Sequence, residues 1–233
     1  MYNKILKEIL SLKNDEKAKI LARFFKTGKG DYGEGDKFLG VTVPISRTIA
    51  HKYSEIPLPL VSKLLNNKYH EVRLVALLIL VHKYKTEPLK KKEIYNFYLK
   101  NTRNINNWDL VDLSVHYTVG DYLIKNDRKV LIKLAKSKNI WERRIAIIST
   151  FAFIYKGESK WTFKIVDMLI NDKHDLIQKA CGWMLREVGK RISEKDLTLY
   201  LDKNSKNMPR TMLRYAIERL PEKKRLYYIK IDK

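Results

Sequence analysis

Near the middle of the 233-residue chain stands Asn106-Asn107-Trp108-Asp109-Leu110-Val111-Asp112-Leu113-Ser114. On a helix, Trp108 and Asp112 share one face, one turn apart. A large aromatic beside a carboxylate makes poor core material, because a buried carboxylate needs a partner or loses its charge. The pair reads either as facing a ligand or as a helix-end aromatic with a solvated or capping carboxylate, and spacing alone does not choose. Asp109 lies about 100° from Trp108 around the helix. So close to a helix start, it is expected to serve the cap and the helix dipole.

The elements that must carry this pair read as helices throughout. Residues 2–26 read as two helices, the first with Leu6, Ile9 and Leu10 as its apolar face. Asn14-Asp15 is placed to cap the second, which runs through Ile20, Leu21, Phe24 and Phe25. Residues 26–40 hold five of the nine glycines, and Gly28, Gly30 and Gly33 match G-x-G-x-x-G. A helix precedes them where a dinucleotide fingerprint needs a strand, so that reading is rejected. A flexible connecting loop, or one whose amides and lysines approach a phosphate backbone, remains. Val43-Pro44-Ile45 restarts the helical pattern, with Pro44 suited to a first turn. No alternating run flanked by hairpin turns follows.

The later helices repeat. Leu65–Ala76, Leu134–Ala146 and Ile170–Ala180 each end an apolar helix, turn through a polar segment and open a new helix, and Leu213–Ala216 ends a fainter copy. The small residues at 76, 146, 180 and 216 are spaced by 70, 34 and 36, leaving room for one more copy with its small residue near 111–112. Such spacing belongs to HEAT-like α-solenoids. The expected fold is all-α: a right-handed α-solenoid of helical-pair repeats with a concave basic face. It forms one domain over 1–233, with N-terminal helices and the Gly-rich loop in 1–42 and repeats in 43–233. On this phasing Asp112 falls where the other copies pack an alanine, and a packing rule broken in this way marks a functional position. Arg143 aligns with Arg73, which points to a structural bridge. Arg144 aligns with Leu74 and Gln178, so it is an added charge, read as a phosphate contact or a surface residue. Trp183 is a ligand-facing candidate against the commoner role of core aromatic.

The chain carries 48 Lys+Arg against 26 Asp+Glu, a net charge of +22. Such a surface attracts polyanions, nucleic acid first and anionic membrane second, unless a lysine-rich composition is all it reflects. Lys136, Lys138, Arg144, Lys179, Arg186, Lys190, Lys206 and Arg210 lie near repeat turns or on second helices, where they would track a duplex backbone. Single Cys181 excludes an intrachain disulfide and reads as a small packing residue. Without a membrane-length apolar run or a signal-peptide pattern, the expectation is a cytoplasmic monomer. H-E-x-x-H, C-x-x-C, P-loop and G-x-S-x-G are absent, and the five histidines lack metal-ligand spacing.

Four stretches now line up: Phe38-Leu39-Gly40-Val41-Thr42-Val43-Pro44, Trp108–Asp112, Trp141–Ile147 and Ile177–Glu187. In order and spacing they resemble the AlkD-type alkylpurine DNA glycosylase family, built from HEAT-like repeats. The resemblance implies duplex DNA as partner and hydrolysis of the N-glycosidic bond of N3- and N7-alkylated purines, without metal or organic cofactor. It implies Asp112 as catalytic carboxylate, Trp108 and Trp183 flanking the damaged nucleotide, and Arg144 on a phosphate. Lys179 and Arg186 join them as expected DNA contacts. The chemistry is intelligible: an alkylated purine is a cationic leaving group, and a carboxylate stabilises the oxocarbenium-like sugar left behind. Aromatic faces over the sugar add cation–π stabilisation. No lysine nucleophile matches the family pattern, so no lyase step is expected. The chain departs from the pattern at Phe24, where glycosylase members carry an aromatic hydroxyl, and in its longer Gly-rich loop. Some relatives on this fold bind branched or distorted DNA without cleaving, which is the alternative reading.

Overall fold

The structure, a computed structural model, describes residues 1–230. Among these there is no β-strand, only an isolated bridge pairing Lys37 with Tyr69. No helix is long and apolar enough to cross a membrane among the described residues. Contacts divide the chain into two compact units, Met1–Thr118 and the segment from Val119 onward.

The first unit holds α1 (Tyr2–Ser11), α2 (Asp15–Phe24), α3 (Val43–Lys52), α4 (Leu58–Leu65), α5 (His70–Thr86), α6 (Lys91–Lys100) and α7 (Trp108–Asp112). The Asn14 side chain accepts from Lys17 N at 2.9 Å, capping α2 as expected, and Pro44 sits in the first turn of α3. Of the expected α1 face Leu6, Ile9 and Leu10, Ile9 is buried, Leu6 half-buried and Leu10 exposed, and Ile5 is buried one turn before Ile9. Helix α2 buries no residue at all, and the aromatic that does reach the core is Phe25, just past its end. Almost every side chain of α5 is buried, so it is the central helix of the unit.

In the second unit come α8 (Asp121–Leu123), α9 (Lys129–Ala135), α10 (Ile140–Ser149), α11 (Phe151–Ile154), α12 (Lys160–Leu169), α13 (Asp175–Arg191), α14 (Glu194–Asn204), α15 (Arg210–Ile217) and α16 (Glu222–Lys230). Here α9 pairs with α10, α12 with α13, and α13 packs along α15. The last pairing depends on Gly182: a Cβ there would stand 2.4 Å from Met212 O and 2.5 Å from Tyr215 Cβ.

The helix caps fix the repeat phase. The N-cap positions of the second helices of successive pairs are Tyr69, Asn107, Asn139, His174 and Pro209, of which Asn107, Asn139 and His174 cap through their side chains. Seven residues past each cap stand Ala76, Ser114, Ala146, Cys181 and Ala216, all with no exposed surface. The packing slot in the central copy is therefore Ser114, and in the next-to-last copy Cys181 rather than Ala180. Asp112 is not in that slot. The turn before α7 is three residues longer than a 35-residue period allows, which moves the phase. Instead, five residues past the caps stand Leu74, Asp112, Arg144, Lys179 and Arg214. Three of the candidate site residues thus hold one equivalent position in consecutive copies.

The structural reading of Arg143 also gains a geometric basis. Arg73 and Arg143 each donate to the carbonyl six residues back, Asn67 O at 3.0 Å and Ser137 O at 2.9 Å, and Gln178 does the same to Asp172 O at 3.0 Å. Arg143 Nε additionally donates to Asp172 at 2.6 Å, tying α10 to the turn before α13. Arg143→Ala is expected to cost about 2 kcal/mol, because two carbonyls and a mostly buried carboxylate lose a charged donor. Chemical denaturation measures it; a change below about 0.5 kcal/mol refutes the bridging role.

Candidate active site

Helix α7 begins because the Asn107 side chain accepts from Trp108 N at 2.8 Å. It lasts five residues, so Trp108 and Asp112 are its first and last, one turn apart, and both are half-buried. The Trp108 ring stacks on Phe25, with centroids 5.0 Å apart and planes at 17°. Phe24 meets it edge-on at 5.9 Å and is itself 62% exposed. The position at which the family pattern calls for an aromatic hydroxyl therefore does adjoin Trp108, and here it presents only a hydrocarbon ring.

Two titratable groups, His116 and Tyr98, adjoin Asp112. Burial pushes His116 down to about 4, although its ring bonds the Asp112 backbone, so it adds no cation at neutral pH. Burial also holds the Tyr98 hydroxyl protonated, against its bond to Ser114 and with help from the charge of Asp112. A carboxylate in this setting can stabilise a cationic centre brought against it.

Asp109 does more than cap. Its Oδ1 accepts from Leu110 N at 2.8 Å, as expected at a helix start, but Oδ2 lies 2.8 Å from His70 Nε2. The other ring nitrogen of His70 lies 2.9 Å from Asp36 Oδ2, and Asp36 Oδ1 accepts from Arg73 at 2.6 Å. Asp36 comes from the Gly-rich segment, which is thus pinned to α5 at this point rather than a free connector. All four side chains are buried. Burial works against charge on His70, but Asp109 and Asp36 outweigh it and raise the ring to about 9. Burial likewise opposes charge on Asp36, and His70 and Arg73 outweigh it to hold the carboxyl below its usual range. Because the His70 value is raised above 6.5, its pairing stabilises the fold fully below that pH and is lost as pH rises through about 9. For Asp36 the stabilisation is present above 3.8 and lost as pH falls below it.

Beside this network lies a mostly apolar cavity of about 260 Å³, with α2 side chains Ile20 and Leu21 on one wall and Phe25, Phe38 and Leu74 on others. At its edge Glu71 accepts from the amides of Leu39, Gly40 and Val41 at 2.9, 2.8 and 3.3 Å.

A model of the DNA alkylation repair enzyme family matches residues 5–220. The chain belongs to the DNA alkylation repair enzyme family. Among solved structures, a predicted DNA alkylation repair enzyme from Enterococcus faecalis shares the fold, with a TM-score of 0.69 at 16% identity over 90% of this chain and 97% of that one. A search of curated proteins returns no match. Membership carries a role in DNA repair with DNA as substrate.

The remaining candidates of this family member stand in the second unit. Arg144 is buried and donates to Leu176 O at 2.6 Å, linking α10 to α13. Lys179 pairs with Asp175 at 2.7 Å on the surface of α13. Trp183 is half-buried, its Nε1 donates to Glu187 at 3.3 Å, and its ring lies 5.7 Å from Phe151. Arg186 pairs with Glu218. Trp183 and Arg186 are three residues apart on α13 and so are neighbours. The residues that sequence reasoning passed over are Asp36 and His70. Their histidine–carboxylate pairing spans 34 residues and leaves no local motif.

Proposed function

We propose that the protein is a monofunctional DNA glycosylase that hydrolyses the N-glycosidic bond of N3- and N7-alkylated purines in duplex DNA. Asp112 is the catalytic carboxylate and Trp108 an aromatic wall against the damaged nucleotide; Trp183, Lys179 and Arg186 of the second unit are contacts to DNA, and Arg144, buried with its guanidinium on Leu176 O, would have to leave that carbonyl to reach a phosphate. The observation that carries this reading is α7 itself: one short helix places an aromatic at its first residue and a carboxylate at its last, one turn apart on one face and each half-buried. A cationic leaving group needs no acid to protonate it, so a carboxylate near the sugar and an aromatic face suffice.

Incubation with methylated duplex DNA and chromatography of the supernatant tests this. Free N3- or N7-methylpurine is the expected product. DNA binding should also weaken about a thousandfold between 50 and 200 mM salt if six or more phosphates are contacted. The replacement of a hydroxyl by Phe24 favours a second reading, a non-catalytic binder of branched or distorted DNA. Tight junction binding with no base released decides for that one.

A further inference from the structure

We propose that His70 is a positioning residue: bonded to Asp36 and Asp109 at once, its doubly protonated ring holds α7, and with it Trp108 and Asp112, in the working pose. Geometry carries this. Both ring nitrogens lie within 2.9 Å of a carboxylate oxygen. A neutral imidazole has one N–H and one lone pair, so it donates to one carboxylate and turns its lone pair on the other. Only the imidazolium satisfies both. With Asp36, Asp109 and Arg73 it then closes a buried group of two cations and two anions. Loss of its proton leaves one unbalanced negative charge in a buried site, a costly arrangement.

The charged groups around the ring come from several elements. The Gly-rich segment contributes Asp36, α5 contributes Arg73, and α7 contributes Asp109. Glu71, next in α5, has its carboxylate taken by backbone amides, and Lys17 of α2 lines the cavity beside the ring. Two routes then lead from His70 to the candidate site. One runs through Asp109 into the first turn of α7. The other runs through rings: His70 stacks on Phe38 at 4.5 Å and lies 5.1 Å from Phe25, which stacks on Trp108. Asn107, the cap of α7, reaches Asp36 as well, at 3.4 Å.

The decisive variant is Asp109→Asn. Its amide can donate to the unprotonated Nε2 while Nδ1–H still serves Asp36, so the neutral ring is accommodated and the fold keeps both links. His70→Gln offers a single donor group for two acceptors, and it leaves one carboxylate unserved at every pH.

Two measurements test this, and the catalytic one rests on the glycosylase reading. First, side-chain ¹⁵N NMR of the full chain follows the His70 imidazole and the Trp108 indole N–H from pH 6 to 10. The expected result is a single transition near pH 9 reported by both, with the Trp108 step absent in Asp109→Asn. A Trp108 signal that stays still while His70 titrates overturns the proposal, whatever the protein does to DNA. Second, single-turnover base release at saturating DNA is expected to fall about tenfold per pH unit above the transition in wild type and to stay level in Asp109→Asn. His70→Gln is expected to lose about ten- to a hundredfold in rate without a change in DNA affinity. An alkaline limb that persists in Asp109→Asn overturns the proposal. If no protein releases base yet Trp108 follows His70, the glycosylase reading fails while the positioning role stands.

Discussion

Asp112→Asn is expected to slow base release from methylated duplex DNA by at least about a hundredfold while leaving DNA affinity unchanged or slightly raised. The substitution keeps the shape of the side chain and removes only its charge. Charge is the property that matters in the proposed mechanism. As the glycosidic bond lengthens, the purine leaves as a neutral base and the positive charge passes to the sugar. A fixed carboxylate is complementary to that transition state and only weakly so to the intact nucleotide, whose charge sits on the purine, so its loss falls on the rate constant rather than on binding. The placement of Asp112 reinforces the effect. It ends α7, and the nearby His116 is neutral. Binding is expected to hold because Asp112 is one of 26 acidic groups on a chain of net charge +22. Single-turnover kinetics with saturating enzyme separate the two quantities. Release at the wild-type rate removes Asp112 from the mechanism. A loss of affinity equal to the loss of rate makes it a binding residue instead.

What the sequence reveals here depends on range. Asn14 and Pro44 mark helix starts through bonds and backbone limits within three or four residues, and both stand where expected. Face assignments are harder, because neighbouring apolar residues compete: Ile5 and Ile9 are buried where Leu6 and Leu10 share nearly the same spacing. The repeat period was visible in the small residues, but its phase was not. Ala180 and Cys181 are adjacent small residues, and only the cap at His174 shows that Cys181 takes the slot. The three extra residues before Trp108 shifted Asp112 out of the packing position that first drew attention to it. Its claim now rests on sharing a helix position with Arg144 and Lys179 and on standing one turn from Trp108 on α7. The buried Asp36–His70–Asp109 chain was invisible for a plainer reason: it joins residues 34 and 39 apart in sequence, each of an ordinary type in an ordinary local setting.

Gly40→Ala is expected to destabilise the protein by on the order of 3 kcal/mol or more and to lower the thermal midpoint by roughly 6–12 °C. Two costs combine. Gly40 has φ +84°, where any Cβ is strained. Space is also missing: the added carbon would stand 2.2 Å from Asn14 O and 2.9 Å from Ala18 N, both backbone atoms at the start of α2. Neither neighbour can swing away, since Asn14 N donates to Leu39 O at 2.8 Å and Asn14 caps α2, while Gly40 N is held by Glu71. The strain is relieved only by lifting α2, a helix that buries no residue of its own. Because Phe24 ends α2 and Phe25 follows it, such a lift takes the two rings from Trp108. Gly35→Ala is the control. Its φ is +81° but nothing lies within 4 Å of the added carbon, so it isolates backbone strain, about 1 kcal/mol. The difference between the two variants measures the close approach of α2 to the Phe38–Pro44 segment, and equal midpoints would show that the contact is slack. Gly40→Ala is further expected to slow base release at temperatures where it remains folded, and Gly35→Ala is not. That contrast ties Gly40 to the aromatic rings beside Trp108 through packing alone.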